Sequence, residues 1–228
     1  MSEPFLILQC FINMEIFKPT SWNNWERFYR ANFINSLTGF KSATLIGSIN
    51  DRSVANLGIF SSIVHLGSDP ALIGYFNRPE ESSPHTLNNI RNNGFYTMNH
   101  IGTLFIDRAH QTSAKYPEGL SEFGQVGLTP QYEEGYTVPF VKESKLKYLL
   151  SLKEVIPIKL NNTFLVIGQL ECVLLEKPII EFDGLLSLDK IDTVTCNGSN
   201  AYYNTSLIDR FEYAKPYLPL KSIIESVK

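Results

Sequence analysis

The sequence predicts a mainly β protein, a closed barrel of five to eight strands decorated by several short helices. Three observations carry this reading. Short apolar runs recur at hairpin spacing between clusters of turn residues. The segment 145–153 alternates strictly, with Leu146, Tyr148, Leu150 and Leu152 on one face, where helical spacing would scatter them around an axis. The chain has 228 residues, 43% hydrophobic and 19% charged, which is enough for a sizeable core and a size that all-β barrels reach as one domain.

The elements follow in order. Residues 1–13 read as an N-terminal extension expected to pack weakly or not at all, and the domain proper as 14–228. Thr20 and Ser21 offer N-caps for a short helix, in which Trp22, Trp25, Phe28 and Tyr29 form an aromatic face directed inward. Strands follow at 43–49 and 55–60, separated by the turn cluster Asn50-Asp51-Arg52-Ser53. Residues 62–66 and 71–76 are further strands around Gly67-Ser68-Asp69-Pro70. Ser83-Pro84 starts a helix that ends near Asn92-Asn93-Gly94. Residues 95–99 are a strand, and 103–135 hold two short helices around Tyr116-Pro117-Glu118-Gly119. After the alternating strand, Asn161-Asn162 turns the chain into a long strand at 163–175. Residues 176–228 read as loop-rich, ending in a helix at 222–227.

Composition excludes several functional classes. Twenty Lys and Arg stand against 23 Asp and Glu, a net charge of −3, which argues against broad electrostatic binding of nucleic acid and against a polybasic membrane surface. No apolar run approaches the roughly 20 residues of a membrane-spanning helix. Residues 5–12 are too short and lack the basic start of a secretory signal. Cys10, Cys172 and Cys196 form neither a disulfide framework nor a metal motif, so a reducing cytoplasmic location is expected and the sequons at Asn161, Asn197 and Asn204 carry no weight.

Chemistry-bearing motifs are also missing. The sequence has no dinucleotide-binding glycine fingerprint, no P-loop and no nucleophile elbow. His65, His85, His100 and His110 show no metal-ligand spacing, and no metal site is expected. Glu80-Glu81 and Glu133-Glu134 are adjacent in sequence and read as solvated loops. Any demanding chemistry therefore falls to a cofactor.

Four segments place polar residues where a strand or helix would prefer apolar ones. Asn56, Gly58, Ser61 and Ser62 interrupt a strand, either as an ordinary bulge or as backbone open to a ligand. Arg78, Ser82, Ser83 and Thr86 surround a helix start, where free N–H groups favour a phosphate; N-capping by Ser83 alone would leave Arg78 and Ser82 unexplained. His110, Gln111, Thr112 and Ser113 offer donors to a planar ring or an anion, or make a polar surface turn. Cys196 to Tyr203 ends in paired tyrosines, which either stack on a ring or anchor a late loop.

Seven motifs in order resemble the flavin reductase-like FMN-binding proteins over about residues 15–216. They are Asn35-Ser36-Leu37-Thr38-Gly39-Phe40, Ala55-Asn56-Leu57 with Phe60-Ser61-Ser62, His65-Leu66-Gly67-Ser68-Asp69-Pro70, and His85-Thr86-Leu87-Asn88-Asn89-Ile90. Residues 109–114, Ser121-Glu122-Phe123 and Pro139-Phe140-Val141-Lys142-Glu143-Ser144 are similar to the flavoredoxin-type branch.

The resemblance implies an FMN-binding split β-barrel of Greek-key type, a homodimer, and one non-covalent FMN per subunit near the interface. It implies that Asn56, Leu57, Phe60, Ser61 and Ser62 line the flavin ring, that Arg78, Ser82, Ser83, His85 and Thr86 hold the phosphate, and that Gln111 and Thr112 also contact the cofactor. Two departures stand out: no glycine at Arg52-Ser53, which suggests a wider hairpin, and His85 where many relatives carry a Lys-Asp pair.

The expected function is an oxidoreductase that passes hydride from NADH or NADPH through bound FMN to a flavin or another acceptor. The alternatives are a flavin carrier or electron-transfer protein without nicotinamide turnover, and a structural dimer that has lost flavin. No catalytic constellation is evident; His65 and His110 are the candidates for tuning the ring or the nicotinamide site, against a purely structural role.

Overall fold

The computed structural model describes residues 14–79, 84–117, 119–176 and 179–224. The helices are α1 (Pro19–Trp22), α2 (Arg27–Ser36), α3 (Pro84–Asn93), α4 (Ile106–Gln111) and α5 (Glu122–Val126). The strands are β1 (Lys41–Ser42), β2 (Thr44–Ile49), β3 (Ala55–Phe60), β4 (Ile63–Ser68), β5 (Ala71–Asn77), β6 (Phe95–His100), β7 (Pro130–Gln131), β8 (Phe140–Val141), β9 (Leu146–Ile158), β10 (Thr163–Leu175), β11 (Val194–Asn197) and β12 (Ala201–Asn204). The expected extension 1–13, the cap at Ser83 and the second half of the expected helix at 222–227 lie outside the described residues.

Seven strands form one antiparallel sheet in the order β3-β2-β6-β9-β10-β5-β4. Laid flat, seven strands would span about 29 Å. Yet β3 and β4, at opposite ends of that order, are joined by Ser61 and Ser62 alone. A link that short reaches about 11 Å at most, so the sheet has to curl until its two edges meet. No β3–β4 pairing is present in the sheet order, so the barrel closes at a seam and remains split along it. This confirms the mainly β, split-barrel class.

Alternation along the strands sorts the core. Ile46, Tyr75, Tyr96, Met98, Tyr148, Leu150 and Val166 point to one side and pack with Leu87 and Ile90 of α3. Leu45 and Leu57 point to the other side, where Ala109 of α4, Phe123 and Val126 of α5, and Val194 and Cys196 of β11 cover them. The first six residues of β9 are buried throughout, Lys147 included, whose ammonium donates to Gln131 Oε1 at 2.7 Å, Val141 O at 2.9 Å and Lys142 O at 3.2 Å.

Three expectations change. The aromatic face near the N-terminus does not point into the barrel: α1 and α2 bury no residue, and Phe17, Trp25, Tyr29 and Phe33 pack edge-to-face on one another instead. The cap of α2 is Glu26, whose carboxylate accepts from the Phe28 and Tyr29 amides at 2.8 and 3.0 Å. The segment read as loop-rich contains β11 and β12, which join β1 in a separate three-stranded sheet. At the first hairpin, Ser53 adopts φ 59° in place of a glycine, while Asn50 Oδ1 accepts from the Arg52 and Val54 amides at 3.0 and 2.9 Å.

Gly47 on β2 allows the segment before β8 to approach closely. A Cβ there would run directly into Pro139 O and Thr97 Oγ1, which are themselves hydrogen-bonded at 2.6 Å. Gly47→Ala is expected to cost about 1–3 kcal/mol as overpacking, a fall in melting temperature of several degrees. Gly124→Ala, where a Cβ meets no heavy atom within 4 Å, is expected to change stability by less than about 1 kcal/mol in the same thermal scan.

Candidate functional site

The seam opens onto a cavity of about 700 Å3, within the range of small-molecule and cofactor sites. Its floor is the free edge of β3. That strand pairs with β2 on one side only, and the Leu57 N–H points away from β2 to donate to Glu122 Oε2 at 2.9 Å. Because amides alternate along a strand, the Ile59 N–H points the same way, toward the cavity that Ile59 lines. A strand edge with backbone groups turned into a cavity is the arrangement a planar heterocycle with its own donors and acceptors can complete.

Glu122 is the carboxylate of this wall. It is 7% exposed at the start of α5, and burial raises its carboxyl above the ordinary range, opposed by the Leu57 amide. It fixes the strand edge by occupying one amide and leaving the next.

A second buried polar group holds the N-terminus of α3 against the same strand. Asn56 Nδ2 donates to Thr86 Oγ1 at 3.1 Å and to Ser48 Oγ at 3.3 Å, and Asn89 Nδ2 donates to Ser48 Oγ at 3.2 Å. Sequence reasoning gave Asn56 and Thr86 to a ligand, and both do line the cavity, but their first partners are each other. A Cβ at Gly58 would crowd the Phe60 ring at 3.2 Å but meet Thr86 Oγ1 in ordinary contact at 3.5 Å.

The remaining predicted residues separate clearly. Leu57, Phe60, Ser61, Ser62, Arg78, His85 and Thr112 line the same cavity. The Phe60 ring itself packs edge-to-face on Tyr75 at 5.1 Å, so its contribution to the wall includes backbone. Thr112 spends its hydroxyl on Ala109 O at 2.7 Å. Gln111 is outside the lining and donates to the Tyr116 hydroxyl at 3.3 Å, which does line it. Ser82 and Ser83 lie outside the described residues. His65 is exposed on β4 and not part of the lining. His110 is also outside the lining, but its Nδ1 lies 2.7 Å from the Tyr202 hydroxyl, and Tyr202 is in the wall.

Lys41 and Tyr116 escaped sequence reasoning, and Glu122 entered it only as part of a motif with no role. Nothing local marks Lys41; only the β1–β11 register brings it to the cavity.

The cavity's charge is opposite to the protein's. Among the described residues it is lined by Lys41, Arg78 and Lys115 against the single carboxylate of Glu122, in a chain of net charge −3. Asn77 Oδ1, buried in the wall beside Arg78, has no hydrogen-bond partner among the described residues. A ligand with an anionic end and hydrogen-bonding ring edges matches these features, and FMN has both.

No family model matches the sequence. The structure resembles that of a protein from Shewanella frigidimarina assigned as a flavin reductase with a split barrel domain, at 42% identity and TM-score 0.85 over 88% of this chain and 100% of that one. Nitrilotriacetate monooxygenase component B from Bacillus cereus shares the fold at 18% identity and TM-score 0.76, covering 88% of this chain and 99% of that one. Flavoredoxin of Desulfovibrio vulgaris (Miyazaki F) shares it at 22% identity and TM-score 0.65, covering 78% and 92%. With 42% identity along the whole of the Shewanella chain, and the same split barrel, this protein belongs to the flavin reductase-like FMN-binding family.

Proposed function

We propose that this protein is a flavin-dependent oxidoreductase that holds one FMN non-covalently at the open edge of β3 and uses NADH or NADPH to reduce a flavin or another small acceptor. The observation that carries the reading is the free, partly Glu122-bonded edge of β3 turned into a cation-lined cavity. Relatives assigned as a flavin reductase and named a flavoredoxin support the same class. When bound, FMN supplies hydride and electron chemistry that no side chain in this cavity provides.

The chain's own residues do the holding. The β3 backbone would meet the ring edge, and Glu122 fixes that edge by engaging Leu57. Arg78 would pair with the phosphate, and the polar cluster of Ser48, Asn56, Thr86 and Asn89 holds the α3 start beside it. The seam keeps the reacting face reachable, while Tyr116 and Tyr202 stand along the outer wall.

The functional unit in this reading is a homodimer. The N-terminal arm supports it: α1 and α2 bury nothing within the chain, and Phe28, Tyr29 and Leu37 are 62–69% exposed. Large apolar side chains left exposed together on one short arm suit an association surface.

Three outcomes are expected. Purified protein should be yellow with one FMN per chain and should oxidise NADH or NADPH steadily when FMN is added. Flavin absorbance without nicotinamide turnover would point to a flavin carrier, and no flavin binding at all would overturn the reading. Sedimentation at micromolar concentration should give about twice 25.9 kDa, because an apolar interface of the obligate class is stable at that dilution; a monomer that keeps its flavin would refute the dimer.

Arg78→Ala should weaken FMN binding about tenfold and leave riboflavin nearly unaffected, since riboflavin lacks the phosphate. The size reflects a charge-assisted hydrogen bond of ~1.5 kcal/mol, at the low end because Arg78 is exposed. Equal losses for the two ligands by isothermal titration would assign Arg78 a general structural role.

A further inference from the structure

The small sheet forms the wall of the cavity farthest along the chain from the Arg78 segment. Lys41 on β1 is directly opposite Cys196 on β11, and Cys196 is directly opposite Tyr202 on β12. Directly opposed residues in an antiparallel sheet point to the same face. All three side chains therefore share one face, and all three line the cavity. The row reads ammonium, thiol, phenol.

Each end of the row is held from outside it. Lys41 Nζ donates to Asn35 O at 3.1 Å, which leaves two of its three N–H donors. The Tyr202 hydroxyl lies 2.7 Å from His110 Nδ1, with His110 behind the wall. When His110 carries its proton on Nδ1 and donates it to the phenol oxygen, the phenol proton is free to turn into the cavity. Burial, with a smaller contribution from Cys196, pushes the Tyr202 phenol up to about 12, so it remains a neutral donor. Tyr116, which packs against the same core cluster as Tyr202, also lines the cavity, as does a further cation, Lys115.

We propose that the Lys41–Cys196–Tyr202 row is an acceptor subsite for a small planar carboxylate, a conjugated or aromatic acid, whose charge meets Lys41 and whose oxygen accepts the Tyr202 hydroxyl. Its role as the acceptor site rests on the proposed oxidoreductase function; its ability to bind such an anion does not. Three features select this chemistry. The aromatic rings favour a flat ligand. Lysine without a paired carboxylate in the row favours an anion, in a protein whose overall charge is negative. The tyrosine supplies a donor that a neutral hydrocarbon would leave unmet. Arg78, on a different element at the end of β5, remains for the flavin phosphate.

The test is equilibrium binding of trans-cinnamate and of cinnamamide, its neutral counterpart of the same outline, to FMN-treated protein by isothermal titration. FMN content is read in every sample from flavin absorbance. Wild type is expected to bind cinnamate at least tenfold tighter than cinnamamide. Lys41→Gln should bring the two ligands within about threefold while cinnamamide affinity holds. Tyr202→Phe should weaken both about three- to tenfold, because both lose the same donor. Lys153→Gln, which removes an equal charge from an exposed position on β9 outside the cavity, should change neither.

Equal binding of the two probes by wild type, or a preference that survives Lys41→Gln, would overturn the subsite. So would a Lys41→Gln variant that loses FMN affinity but not riboflavin affinity, since the lysine would then serve the phosphate. Protein that takes up no FMN but still prefers cinnamate through Lys41 would overturn the flavin function and uphold the anion site, so the two failures are distinguishable.

Discussion

The two-residue link between β3 and β4 governs this molecule. It joins strands from opposite ends of a seven-stranded sheet, and no flat or open sheet can satisfy it. The sheet curls, its edges come together, and the ladder stops short of closing. That single constraint produces both the barrel and its split. It also decides where a ligand can be recognised by backbone, because a fully closed barrel would have consumed the β3 edge in pairing.

An open strand edge is a liability unless its polar groups find partners. The protein resolves this in two ways. Glu122 reaches from α5 to take the Leu57 amide, a charge-assisted bond in a largely buried setting. The neighbouring groups face a cavity, where a ligand can satisfy them. The same division recurs around Asn56 and Thr86, which bond to each other and still border the cavity. Residues that border the cavity are thus also bonded within the chain, and rigidity there comes from hydrogen bonds already made. A site preorganised in this way spends less of its binding energy on ordering itself.

Charge is distributed to match. The chain is acidic overall, yet the cavity gathers Lys41, Arg78 and Lys115 around one buried carboxylate. The cations come from three separate segments, so the cavity presents positive charge at more than one place. An elongated ligand, or two ligands of which each carries an anionic group, fits that spread better than a single small anion. Tyr202, backed by His110 from outside the lining, comes from the small sheet and Arg78 from the end of β5, so the cavity's wall is drawn from two chemically different elements.

Much of this was legible in the chain. Strict alternation at 145–153 predicted β9, turn residues at Asn50–Ser53 and Asn161-Asn162 predicted two hairpins, and the polar interruption Asn56–Ser62 marked the strand that faces the cavity. These signals are local: side-chain period and turn chemistry act over a few residues, so sequence displays them directly. Other features depended on contacts between distant segments. The strands at 194–197 and 201–204 are only four residues long, and the first of them pairs with Lys41-Ser42, more than 150 positions earlier, so nothing nearby announces the sheet they form. The aromatic stripe at 22–29 has helical spacing, but spacing cannot say whether a face meets the barrel or its own neighbours, and here it meets Phe17 and Phe33. His110 was conspicuous as a residue, yet its relation to Tyr202 exists only because the small sheet carries Tyr202 to α4. The sequence by itself determined which segments are strands, where they turn and which one is polar enough to face a ligand. Only the tertiary structure decided that Glu122, Lys41 and Tyr202 share one cavity, because a site is defined by distance in space and local pattern records only distance along the chain.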